Sequence, residues 1–266
     1  MGFSIPADTE MALRLGVFVA LFALLALWER AAPARAPRLS RALRWRANLG
    51  LALLNTALLR VALPGSALAF AALAAEEGWG LLNRYAVPDW AAVALGILLL
   101  DLVIYFQHVL FHSVPALARL HAVHHADPDF DLTTGIRFHP LEIALSTAIK
   151  FAAIAALGAP VLAVLAFEIL LNATAMFNHA NVSLPAWLEP WVRRLLVTPD
   201  MHRTHHSVIE AERNSNYGFC LAIWDRLLGT YTAAPRGELD IGLAAWRDTA
   251  AIATLPGVLR MPFSGR

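Results

Sequence analysis

Cysteine is nearly absent from this 266-residue sequence, in which Cys220 stands alone. A single thiol excludes an intramolecular disulfide, a cysteine-based zinc site and an iron–sulfur cluster, so a metal could be held here only by histidine, carboxylate or solvent. Charge is also scarce: Asp, Glu, Lys and Arg make up 15% of the residues, against ~25% in a typical soluble protein. The formal net charge of +1 leaves no basic excess to act as a nucleic-acid footprint. What remains is apolar. The hydrophobic fraction is 58% and the mean hydropathy +0.56, whereas soluble domains are ~45–50% apolar and need no such continuous runs of Leu, Ala and Val. This composition predicts a single membrane domain.

Crossing a hydrocarbon core of ~30 Å takes ~20 helical residues, and four apolar stretches are long enough to count. The first covers residues 11–28. The second, 48–75, is interrupted by Arg60 and by Pro64-Gly65, and reads either as one kinked span or as a span plus a re-entrant piece. The third covers 90–111, and the fourth, 141–177, is too long for one span and breaks at Gly158-Ala159-Pro160 as a helical hairpin would. The expected fold is all-α, an integral membrane protein with about four transmembrane helices. Trp28, Trp45, Trp79 and Trp90 stand near span ends, where an interfacial aromatic belt places them.

Basic loops stay cytoplasmic. Arg30, Arg35, Arg38, Arg41, Arg44 and Arg46 lie between the first two spans, whereas the loop after the second carries Glu76, Glu77, Arg84 and Asp89. The first loop is therefore expected inside and the second outside. The N-terminus, with Asp8 and Glu10 ahead of Arg14, is expected outside and lacks the basic leader of a cleaved signal peptide, so the first segment reads as a retained helix. Threading onward, the third span returns to the cytoplasm and the hairpin leaves and re-enters there. Every histidine then falls on the cytoplasmic side.

The ten histidines are His108, His112, His121, His124, His125, His139, His179, His202, His205 and His206. They include an H-x-x-x-H at His108/His112 and two H-x-x-H-H boxes, His121/His124/His125 and His202/His205/His206. Helical positions i, i+3 and i+4 share a face, so each box is expected to present its imidazoles to a single point. Pro128 bounds the helix of the second box, and Thr198-Pro199-Asp200 reads as a cap, a Pro at the first helical position and an acid in the first turn, just before the third. A lone histidine is usually a satisfied core residue, but three boxes are not explained that way. Imidazole suits Zn, Cu, Fe and Ni. A structural zinc closes with four ligands, so eight imidazoles in boxes imply two metal ions.

The order of these boxes on a membrane hairpin scaffold resembles the fatty acid hydroxylase and sterol desaturase superfamily. So do Arg137-Phe138-His139-Pro140-Leu141-Glu142, Asn178-His179-Ala180-Asn181, and the tail Asn216-Tyr217-Gly218 with Trp224-Asp225-Arg226-Leu227-Leu228-Gly229-Thr230. The resemblance covers about 98–231. It implies a non-haem di-iron centre of two iron ions, replaceable by zinc in recombinant protein, which activates O2 to hydroxylate a lipid C–H bond. By position it assigns as ligands the eight box histidines and His179, and leaves His139 between direct ligation and orienting a ligand. The chain is expected to divide into N-terminal transmembrane helices and a basic loop over 1–89, a fatty acid hydroxylase-like catalytic region over 90–235 whose histidine-rich part forms a cytoplasmic cap, and a C-terminal tail over 236–266. With no fused haem-binding or ferredoxin domain in the sequence, a separate electron-donor protein is expected.

Metal-bound imidazoles usually donate their second ring N–H to a carboxylate or carbonyl, and Asp127, Glu142, Asn178, Asn181 and Asp200 are placed for such contacts. Asp101, seven residues before His108, could orient a ligand or pair with Arg60; the pair is favoured because an unpaired charge within a span is costly. Lys150 and Glu168 stand nine residues either side of Ala159, so antiparallel helices would set them at one depth as an ion pair. Three other functions compete: a desaturase on the same centre, a non-catalytic zinc or iron protein, and a histidine-lined transporter, whose ligands should lie near the bilayer midplane.

Overall fold

The computed structural model describes residues 6–63 and 65–264, and every regular element among them is a helix. Two long helices, α1 (Ala7–Ala31) and α2 (Arg41–Ala62), are followed by the short α3 (Ala67–Glu76) and α4 (Leu81–Arg84). Next, α5 (Asp89–Ser113) runs into α6 (Pro115–His125), and α7 (Pro140–Leu157) and α8 (Val161–Asn178) form the hairpin. Short helices follow, among them α9 (Glu189–Val192) and α10 (Pro199–His205).

Five helical stretches among the described residues are long and apolar enough to cross a membrane: Asp8–Ala31, Arg41–Arg84, Asp89–Ser113, Pro140–Leu157 and Val161–Asn178. The expected fourth stretch is two of these, one for each arm of the hairpin. The second apolar stretch is two helices, with the Ser66 hydroxyl accepting from the Ala69 N–H to start α3. α2 also begins at Arg41, ahead of the expected 48, because its first turns carry Arg44 and Asn48 into a buried polar junction rather than into lipid.

Leu100 and Ile104 of α5, Ile154 of α7, Val164 and Phe167 of α8, and Leu68 of α3 close one core. The opposite faces stay apolar and open, as with Leu53 and Val61; in water such surface would be a liability, and in a bilayer it is the solvent contact. At the hairpin tip Gly158 adopts φ +65° and Gly80 φ +84°. A Cβ on Gly80 would lie 2.0 Å from the Gly158 nitrogen, so the α3–α4 loop seats directly on the turn between α7 and α8, and only glycine permits it. The C-terminal residues Trp246, Ile252, Val258 and Met261 pack with Leu51 of α2 and Val123 of α6, which folds the tail onto the cap.

Inside the hairpin, Lys150 and Glu168 form an ion pair. Arg14 of α1 joins them on the other carboxylate oxygen and also reaches Glu10 at 3.0 Å. Asp101 departs from expectation: it pairs with neither Arg60 nor a histidine. Its carboxylate accepts from the Cys220 and Leu221 N–H groups at 3.3 and 3.2 Å and from Trp224 Nε1 at 2.8 Å, and those donors neutralise its cost. Trp45 Nε1 donates to Asp131 at 3.1 Å, and Trp28 packs among Leu25, Leu132 and Met176.

Candidate metal centre

His108 and His112 project from the last turns of α5, and His121, His124 and His125 from α6, which Pro115 starts. His202 and His205 lie on α10, with His206 at its C-terminal cap. The Thr198 hydroxyl caps α10 by accepting from the Met201 N–H, and Pro199 takes its first turn, as the sequence predicts. His179 ends α8.

These nine imidazoles form two groups, in each of which the nitrogens able to bind a metal lie within 4.8 Å of one another. One group is His108, His112, His121, His125 and His205; the other is His124, His179, His202 and His206. The boxes therefore do not each serve a single point. Successive helical residues are rotated by about 100°, so His121 and His125 point within ~40° of each other while His124 diverges, and His205 parts from His202 and His206 in the same way. α6 and α10 each straddle both groups.

The outer contacts settle which nitrogen faces inward. A carbonyl can only accept, so His108 Nδ1 donates to Tyr217 O at 2.8 Å, His205 Nδ1 to Ser215 O at 2.7 Å and His179 Nδ1 to Ala175 O at 2.7 Å. His121 Nδ1 meets the Glu142 carboxylate at 2.6 Å. Each of these four rings then turns its Nε2 inward. The Nε2 atoms of His108, His121 and His205 are buried with no hydrogen-bond partner, while His179 Nε2 lies 3.1 Å from His124 Nε2 and 3.0 Å from His202 Nε2. Two nitrogens at ~2.1 Å from one ion, at right angles, stand about 3 Å apart. Buried lone pairs converging without donors are costly, and this set fits a metal.

Burial strips solvation from the imidazolium form and the neighbouring rings repel it, so His124, His125, His202, His205 and His206 are held well below the usual histidine range. Burial brings His179 down to about 3. Metal binding requires the neutral ring, which the site itself enforces.

Of the five residues expected to brace the ligands, Glu142 does so. The other four are engaged elsewhere. Asp127 accepts from the Arg44 guanidinium through both oxygens at 2.7 Å and from Thr134 at 3.1 Å; burial opposes its charge, but Arg44 outweighs that and holds the carboxyl below the usual range. Asp200 pairs with Arg203 at 2.7 Å, Asn178 donates to Phe219 O at 2.9 Å, and Asn181 exchanges hydrogen bonds with the Arg35 backbone. His139 belongs to neither group: it caps α7, accepting from the Leu141 N–H at 3.2 Å, with Nε2 3.3 Å from Leu259 O. With Pro140 at the first helical position, an acceptor is needed there more than a ligand. The braces missed by sequence reasoning are main-chain carbonyls, which side-chain identity does not reveal. That of Ala175 lies on α8 itself, and those of Ser215 and Tyr217 sit on the loop 215–218, which Asp225 pins by accepting from the Tyr217 and Gly218 N–H groups at 2.7 and 2.8 Å and from Thr230 at 2.7 Å.

The model of the family described as fatty acid hydroxylase matches residues 93–230. The ornithine lipid hydroxylase OlsE of Rhizobium tropici is 34% identical over 152 residues, 57% of this chain and 45% of that protein. The alkylglycerol monooxygenase of Homo sapiens is 30% identical over 151 residues, 54% of this chain and 31% of its own length, and that of Danio rerio is 31% identical over 149 residues. The matches thus span less than half the length of these relatives. No solved structure matches the chain.

Proposed function

Because the chain belongs to the fatty acid hydroxylase family, we propose that it is a membrane oxygenase that hydroxylates an unactivated C–H bond of a lipid, using O2 and electrons from a separate protein. The observation that carries this reading is the pair of adjacent buried imidazole groups, five rings and four, which would hold two iron ions. Iron bound there would supply the O2 activation that no side chain provides. The protein's own part is orientation: Glu142 and the carbonyls of Tyr217, Ser215 and Ala175 fix four rings with Nε2 inward. Burial keeps His179 and His205 neutral and bulk water away from the reacting centre. The relatives' names, an ornithine lipid hydroxylase and alkylglycerol monooxygenases, favour hydroxylation of a lipid over desaturation. The arginine-rich loop over 30–46 supports a site that faces the cytoplasm.

The test is Fe(II) reconstitution followed by turnover under 18O2, with lipid mass spectrometry of cells carrying and lacking the chain to find the substrate. One labelled oxygen gained per product is expected. Loss of two hydrogens without label would make it a desaturase, and metal binding without O2 consumption would make it non-catalytic. For orientation, reporter fusions after Arg46, Asp127 and the C-terminus should read cytoplasmic and one after Glu77 external; an external signal at Asp127 would overturn the single-sided site.

A further inference from the structure

Beyond the hairpin the chain leaves an apolar face uncovered. Trp187, Trp191, Leu195, Ile223, Leu227 and Leu228 are 38% to 73% exposed, and Trp187, Trp191 and Leu195 recur at helical spacing around α9. The two stretches form one surface: Ala222 N–H donates to Leu195 O at 2.9 Å and Val197 N–H to Cys220 O at 3.1 Å.

Two helices independently give the depth of this surface. Residues 220–224 are held by Asp101, twelve residues into α5, and Cys220 meets Thr174, thirteen residues into α8, at 3.1 Å. At 1.5 Å per residue both positions lie about 18–20 Å from the outer ends of their helices. A ~30 Å core starting there extends roughly 10 Å further, so this loop stands at a level inside the hydrocarbon. Its own chemistry agrees. Non-helical backbone is tolerated at that depth only if its polar groups are satisfied within the protein. Here the Cys220 and Leu221 N–H groups end on a carboxylate, Leu228 N–H donates to Trp224 O at 2.9 Å and Thr230 N–H to Asp225 O at 2.8 Å. That explains an acid in the middle of an apolar span, since Asp101 serves a loop that water does not reach. Phe106 of α5 is exposed as well, at 52%. Two cations lie against it, the Arg194 guanidinium 4.3 Å from the Trp191 ring centre and Arg226 4.2 Å from that of Tyr231, so that each charge is held over an aromatic face.

We propose that residues 185–195 and 221–228 form a shelf immersed in the acyl chains of the leaflet on the histidine side, a monotopic element in addition to the spans. It rests on depth and exposure, and holds whatever the metal does.

Spin labels attached at W191C, L195C and L227C in a C220A background, in protein reconstituted in phospholipid nanodiscs, report collision with O2 and with a water-soluble nickel chelate. F106C serves as the lipid reference and E238C as the water reference. The shelf labels should behave as F106C does, with O2 collisions exceeding nickel. Nickel accessibility at L195C and L227C equal to that at E238C would overturn the proposal by placing the face in water. Dipolar broadening between labels of neighbouring molecules would overturn it in favour of a second copy of this chain. Should a cysteine variant fail to fold, brominated phospholipids test the native protein: the W187F/W191F double variant should lose much of the tryptophan quenching seen in the wild type, and unchanged quenching would refute immersion.

Discussion

Two of the polar regions that interrupt this apolar protein solve the cost of burial in opposite ways. Mid-hairpin, Glu168 is met by Lys150 and Arg14, and Arg14 by Glu10: two acids and two cations, a set that closes on itself. At the end of the spans, by contrast, nine imidazoles converge, and buried ring nitrogens of His108, His121, His124, His125, His202, His205 and His206 have no partner. Evenly matched charge is the mark of a group that stabilises a fold. A cluster of imidazoles with unpartnered buried nitrogens, four of its rings braced from behind, marks a group that is complete only with something from outside.

The largest effect that could break this contrast is at His205. His205→Ala should remove metal and turnover together, because the ring belongs to the five-histidine group and sits on the helix shared with the other. Full iron content and full activity in that variant, measured by metal analysis and O2 uptake, would show that the grouping is not a metal site. Next comes the brace. Glu142→Leu should lower metal affinity or activity ~10–100-fold, with Glu142→Gln nearer the small end because its amide oxygen still accepts from His121. His139→Ala should leave metal content unchanged and lower stability by ~1 kcal/mol, as loss of a helix cap does; a metal deficit there would restore His139 to the site.

A third test sharpens the contrast through pH. In the four-histidine group burial lowers every ring, His179 to about 3, whereas an unfolded histidine titrates near ~6.5. Between those values the unfolded chain binds protons that the folded one refuses, so the stability of metal-free protein is full above pH ~6.5 and falls as pH drops toward 3. Thermal melts of metal-free protein should therefore shift down steadily below pH 6.5. A midpoint flat from pH 7 to 4 would mean that the rings are solvated rather than buried.

Much of this was legible in the sequence, for reasons that vary with the residue. The box histidines show because helical periodicity puts i, i+3 and i+4 on one side, and the helices over 90–177 because apolar runs, Gly158 and Pro160 delimit them. The ~100° rotation between helical residues separates His124 from His121 and His125, but which rings of the other helices complete each group could not be read, since that depends on how the helices pack. Asp127 looked like a brace by proximity to His125, yet Arg44, more than eighty positions away in sequence, claims it. Long-range partners of this kind leave no local pattern, and neither do the carbonyls of Ser215 and Tyr217 that orient two rings.

The smallest effect expected belongs to the closed charge set, where Arg14 changes the outcome that Lys150 and Glu168 alone would give. With only two partners, removing either would strand the other in hydrocarbon at a cost of at least ~2.5–3.5 kcal/mol. With Arg14 present, Lys150→Leu leaves Glu168 still paired, so its cost should fall below that range. Glu168→Leu strands Lys150 and leaves Arg14 with Glu10 alone, and should cost more, ~3–5 kcal/mol as for a broken buried pair. The Lys150→Leu/Glu168→Leu double variant should recover most of that loss, because Arg14 keeps Glu10 at 3.0 Å. Melts of the four proteins in one detergent, with metal content measured alongside, give the cycle. Equal costs for the two single variants would mean that Arg14 does not share the carboxylate. A change in metal content with Glu168→Leu would join the two polar regions and break the comparison altogether.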